Sequence, residues 1–142
     1  MTQIDFYTNV SDKLRTACRI TAKAHGQGLR VMLFCPDAET ARHLDRALWT
    51  NPPLGFVPHC FPDDPLAAVT PVIVDHQGGD PPHDQVLLNL RPEWPPFFSR
   101  FQRLIEIVSL DDADRQGARE RYKFYRDRGY EIRTHDLSKA GQ

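Results

Sequence analysis

The sequence predicts a three-layer α/β/α sandwich, a single domain over residues 1–142, Rossmann-like, with a mostly parallel, mixed central sheet. Three observations carry this. Stretches of strand periodicity alternate with stretches of helical periodicity along the chain. The run LRVMLFC at 29–35 is apolar apart from Arg30, the pattern of a strand covered on both faces. And 142 residues with 40% hydrophobic content can bury roughly two-thirds of the unfolded surface, enough for one core without disulfides or a structural metal.

Taken in order, Ile4, Phe6 and Val10 mark a short first strand that ends at the turn-like Thr8-Asn9. Ser11 then serves as the expected N-cap of a helix in which Leu14, Ala17, Cys18, Thr21, Ala22 and Ala24 recur at helical spacing until Gly26 and Gly28 stop it. The 29–35 strand follows. Pro36-Asp37 opens a second helix through Ala41, Leu44 and Leu48 to the breaker Asn51-Pro52-Pro53, with Trp49 expected in the core. Residues 56–61 (FVPHCF) read as a short extended segment, and Pro58 assigns it to an edge.

Residues 62–84 are rich in proline and glycine around one small strand, Val72-Ile73-Val74. A strand at 86–90 and a short helix near 97–101 come next. Residues 104–110 (LIEIVSL) read as a β-branched strand, and a long helix from about Asp111 to Arg128 follows, with acids at its positive end and Gly129 at its stop. Tyr130, Ile132 and Thr134 alternate as a last strand, and a frayed tail is expected from about 137.

Composition narrows function. With 18 Lys+Arg against 19 Asp+Glu, the chain is not built to coat a polyanion with its whole surface, although a local basic patch is compatible with this balance. Cys18, Cys35 and Cys60 are odd in number and far apart, the spacing of buried reduced thiols and not of disulfides or a zinc site. The first residues lack the basic and apolar regions of a secretion signal, so the cytoplasm is expected.

Catalytic signals fail in turn. The loops after the first two strands, Thr8-Asn9-Val10-Ser11 and Cys35-Pro36-Asp37, lack phosphate-cradling glycines. The six histidines form no metal-ligating pair, and His59 and Cys60, adjacent on a strand, point to opposite faces. Asp63-Asp64 and Asp111-Asp112 occupy turn and helix-start positions where acids are expected for local reasons. No catalytic residue, metal or cofactor is therefore expected.

The last long helix is different. From Arg115 to Arg128 six cations face two anions, a net +4 inside a chain of net −1. Arg115, Arg119, Tyr122 and Arg126 fall on one helical stripe, while Ala118 and Tyr125 mark the adjoining buried edge. That places Tyr122 at the boundary of core and solvent. Such a stripe is either a solvated helix face or a clamp for a carboxylate or acidic peptide, with arginine forks beside an aromatic wall.

The same helix reads Ala118-Arg119-Glu120-Arg121-Tyr122-Lys123-Phe124-Tyr125-Arg126, which resembles the A-R-E-R-Y-K-x-Y-R run of the bacterial DNA polymerase III chi subunit family. A second block, Leu44-Asp45-Arg46-Ala47-Leu48-Trp49 followed by Phe56-Val57-Pro58-His59, is similar to that family's L-D-x-A-L-W and F-V-P-H. Phe6-Tyr7 and Arg30-Val31 also match, so the likeness spans nearly the whole chain.

The resemblance implies a non-catalytic accessory subunit of the replicative holoenzyme. It would join the clamp loader, through the psi subunit, to the acidic C-terminal tail of single-stranded-DNA-binding protein, which ends in a phenylalanine with a free carboxylate. It further implies that Arg115, Arg119, Tyr122, Lys123 and Val108 form the tail pocket and that Phe56, Val57 and Pro58 face psi. Residues 63–84 have no counterpart in the family's pattern. Two other readings compete: a nucleotide-binding α/β enzyme using the loops at the strand ends, and direct binding of single-stranded DNA by the basic helix, with Tyr122 and Tyr125 stacking on bases.

Overall fold

The structure is a computed structural model that describes residues 1–50 and 57–139. Its strands and helices in chain order are β1 (Gln3–Val10), α1 (Lys13–Gly26), β2 (Val31–Phe34), α2 (Ala38–Thr50), β3 (His59–Cys60), β4 (Val72–Asp75), β5 (Val86–Asn89), β6 (Arg103–Ser109), α3 (Asp112–Asp127) and β7 (Ile132–Asp136). The seven strands form one sheet in the order β3-β4-β2-β5-β6-β1-β7, and every pairing is parallel. The expected antiparallel component of a mixed sheet is absent among the described residues, because every connection returns the chain to the same end of the sheet.

A parallel sheet needs cover on both faces. Side chains of β2 show how it is supplied: Val31 and Leu33 join the core beneath α1 and α2, with Ala17, Cys18, Ala41 and Leu44. Met32 and Phe34 point the other way, into a core with Phe98, Phe101, Leu104, Ala118 and Tyr125 beneath α3. The 3-10 turns Ala67–Val69 and Phe98–Arg100 help cover this second face where no α-helix reaches, so the helix expected near 97–101 is a single tight turn.

Local chemistry explains the ends. Asp12, not Ser11, caps α1, its carboxylate accepting the Arg15 amide at 3.1 Å, and the helix begins one residue later than Ser11 would place it. Asp111 caps α3 in the same way through the Asp114 amide, and Gly129 leaves that helix at φ +84°, a conformation that suits glycine. Leu137–Lys139 is not a frayed end but a 3-10 turn, and Leu137 packs against the α1-side core.

Trp49 departs from expectation. It is 59% exposed at the end of α2, its ring tilted against His59 at 4.9 Å, because Ala41, Leu44 and Leu48 already fill the buried stripe of that helix. No helix among the described residues is long and apolar enough to cross a membrane.

Candidate functional site

The chain leaves β6, runs back along α3 and re-enters the sheet at β7, stepping over β1. Helix α3 therefore packs on β6 and β1 and leaves the β1–β7 edge uncovered beside it. Parallel register puts Phe6 level with Glu106 on one side and Thr134 on the other, all on the α3 face. A hollow of about 570 Å³ lies between that strip and the helix.

Its apolar floor is Phe6, Val108 and Ala118. Tyr122 forms one wall, edge-on to Phe6 at 5.5 Å between ring centroids and 37% exposed, so it stands at the boundary of core and solvent as the helical spacing predicts. Arg115, Arg119, Lys123 and Arg126 line the rim, and no carboxylate is among the described lining residues. Arg115 donates to Asn9 Oδ1 at 3.2 Å and Arg119 to Gln116 Oε1 at 3.3 Å, both neutral amides. Arg126 lies 3.5 Å from exposed Asp127. Asn9 has φ +58°, a left-handed conformation that asparagine tolerates, and this turn at the end of β1 aims its side chain at Arg115 and at Asp136.

All five residues that the family resemblance assigns to one pocket, Arg115, Arg119, Tyr122, Lys123 and Val108, line this hollow. Phe6, Thr8, Asn9 and Thr134 are the lining residues that sequence reasoning omits, since they come from strands whose adjacency only the sheet order reveals.

Tyr125, one of the two aromatics considered for stacking on DNA bases, is fully buried, and its hydroxyl donates to Glu106 Oε2 at 2.6 Å. It cannot meet a base. Arg121 is likewise inside: its Nε lies 3.0 Å from Glu106 Oε1 and its Nη1 donates to the Pro92 carbonyl at 2.8 Å. Asn89 adds donors to both Glu106 oxygens, so the carboxylate is fully hydrogen-bonded. Burial pushes the Glu106 carboxyl above its ordinary range against the pull of Arg121, Tyr125 and Asn89. This cluster anchors α3 to the sheet and orients the stripe on its opposite side. It also corrects the charge: with Arg121 neutralised by Glu106, the surface surplus of the segment is +3, not +4.

A second tie fixes the start of the helix. The Asp114 carboxylate accepts the Ser109 amide at 2.8 Å and Lys13 Nζ at 3.0 Å, joining β6, α1 and α3. These contacts outweigh burial and hold its carboxyl below the ordinary range.

Of the other segment assigned from the sequence, Phe56 lies outside the described residues. Val57 is 2% exposed within the α1-side core, so its side chain presents no surface, a correction to its expected place facing psi; Pro58 is half-buried. The His59 ring lies against Asp45 and beneath the exposed Trp49. Among the described residues no group of three or more His, Cys, Asp or Glu could hold a metal.

The family model for the DNA polymerase III chi subunit, HolC, matches residues 1–133. The chain is 38% identical over 143 aligned positions to the DNA polymerase III subunit chi of Pseudomonas aeruginosa, covering 96% of this chain and 98% of that one. It is 35% identical to the Escherichia coli subunit chi over 82% of this chain and 80% of the relative, and 32% identical to that of Haemophilus influenzae over 85% of each. With a match running from the first strand into the last, the chain belongs to the DNA polymerase III chi subunit family.

Proposed function

We propose that this chi-family chain is a non-catalytic adaptor of the cytoplasmic replication machinery, and that the hollow beside α3 takes the acidic C-terminal tail of single-stranded-DNA-binding protein. One observation supports this most: among the described lining residues four cations and no carboxylate ring an apolar floor of Phe6, Val108 and Ala118 with Tyr122 as its wall. Such a site suits a ligand that is both anionic and aromatic. Arg115 and Arg119 pair with tail carboxylates, Lys123 and Arg126 draw the acidic stretch along the helix, and Tyr122 with Val108 encloses the terminal phenylalanine ring. The chemistry is positioning. No bond is made or broken.

The second partner is the psi subunit of the clamp loader, on the opposite side of the sheet order, where Pro58 leads into β3, and the family resemblance assigns Phe56 to the same contact. Trp49, 59% exposed at the end of α2 and tilted against His59, extends that surface, since aromatic rings are favoured contacts between chains. Through the tail of the first partner the α3 surface reaches DNA only indirectly.

Titration with a labelled tail peptide tests the first surface. Binding is expected in the micromolar range, about −8 kcal/mol, and Arg119→Ala should weaken it about tenfold. Unchanged affinity in that variant refutes the assignment of the hollow. Phe56→Ala should abolish co-purification with psi while leaving tail binding intact, and retained co-purification removes Phe56 from that contact.

A further inference from the structure

We propose a second binding site, on the α1 face of the β1–β7 edge, that takes single-stranded nucleic acid through its phosphodiester backbone. Between Lys13 and Gly26 helix α1 carries no Asp or Glu. Lys13 is tied to Asp114, but Arg15, Arg19 and Lys23 recur at i, i+4 and i+8, are exposed, and their side chains make no ion pair or hydrogen bond among the described residues. At about 1.5 Å of rise per residue they form a row with steps of roughly 6 Å. Three unpaired cations in line on one face are an electrostatic track in a chain of net −1.

Beneath the row a hollow of about 390 Å³ opens between α1 and the sheet, with Arg19, Lys23, Arg103 and Tyr7 in its lining and no carboxylate among the described lining residues. Asp5, which lies next to this lining through its pair with Arg103, is buried under Arg103 and His135, whose nitrogens lie 2.9 Å from its two oxygens, so it presents no open carboxylate to an anion. The Tyr7 and His135 rings are stacked at 4.6 Å and 19°. That pair is a flat platform at the edge of the basic track. A charged row beside stacked rings is the combination that holds an unpaired strand, backbone on the cations and a base on the rings, and the rings favour a nucleotide over an acidic peptide. The site is independent of the α3 hollow, which lies on the other face of the same edge.

The test is fluorescence anisotropy of an oligothymidylate of about 15 nucleotides, with the whole chain, at several salt concentrations. If three phosphates are neutralised, affinity should fall roughly 20-fold between about 50 and 200 mM salt. R19Q/K23Q, which alters two exposed residues, should bind the oligonucleotide more weakly and reduce that fall to roughly threefold, while its affinity for the tail peptide stays at the wild-type value. Three results would overturn the proposal: no binding at about 50 mM salt, a salt response unchanged in R19Q/K23Q, or an acidic peptide instead of the oligonucleotide being the ligand that R19Q/K23Q releases. Loss of oligonucleotide binding in Arg119→Ala but not in R19Q/K23Q would move the contact to α3 and overturn it as well. Failure of the tail assignment is read separately, from the tail-peptide arm.

Discussion

Arg121→Met removes the cation that neutralises Glu106 while nearly preserving side-chain volume. Both partners are almost completely excluded from solvent, at 2% and 0% side-chain exposure, so the change strands a carboxylate that Tyr125 and Asn89 only partly compensate. Breaking a buried pair from one side costs about 3–5 kcal/mol. For a chain of 142 residues the entropy of unfolding makes each kcal/mol worth roughly 3 °C, so Tm should fall by about 9–15 °C. The loss also depends on pH. Without Arg121 the folded-state pKa of Glu106 rises further above its ordinary value of 4.5, so the native state holds a proton that the unfolded state has released. Stability then declines as pH rises from that ordinary value through the folded one. Thermal unfolding should therefore show the variant lagging the wild type more at about pH 7 than at about pH 5, and adding Glu106→Gln should recover most of the deficit at the higher pH. A fall in Tm of less than about 3 °C, or a further loss on adding Glu106→Gln, would refute the role given to this pair.

Other consequences are independent of it. Gly117→Ala should destabilise the protein by about 1 kcal/mol despite the helix-propensity gain of similar size, because the new Cβ would stand 3.2 Å from Arg121 Nη1 and displace its bond to Pro92; a net gain in urea denaturation would contradict this. Burial pushes the Cys18 and Cys35 thiols up to about 11 and about 12, so iodoacetamide at about pH 8 should label the half-buried Cys60 first and the other two only on unfolding; early loss of the Cys18 thiol would show that core to be open. Burial raises the Asp5 carboxyl, but His135 and Arg103 more than offset this and leave it below its ordinary 3.8. Its contribution is thus complete above that value and lost as pH falls through the folded one, so Asp5→Asn should cost about 1–3 kcal/mol at pH 7 and progressively less as the solution is acidified below that ordinary value, and a constant difference would refute the linkage.

Much of this was legible in the residues because local signals agree with tertiary ones. The apolar run at 29–35 is a doubly covered strand, and the spacing of Arg115, Arg119 and Tyr122 on α3 is a helical property that survives folding unchanged. What escaped depends on contacts distant in sequence. The pattern at 104–110 gives no sign that α3 buries a carboxylate there, and Arg121, counted with the other cations of the helix, lies on the face turned to Glu106. Phe6 and Thr134 join the hollow only because β1 and β7 are neighbours, which no local pattern specifies. Trp49 is large and apolar, but three other residues already occupy the buried stripe of α2.

Amide chemical shifts of the labelled chain, followed during titration with the acidic tail peptide, locate that partner directly. The largest changes should fall at Thr8, Val108, Ala118, Tyr122 and Thr134 around the hollow, with α2 and β4 unmoved. Changes centred instead on α1 or on the end of α2 near Trp49, with Val108 and Tyr122 unaffected, would contradict the assignment of the α3 hollow.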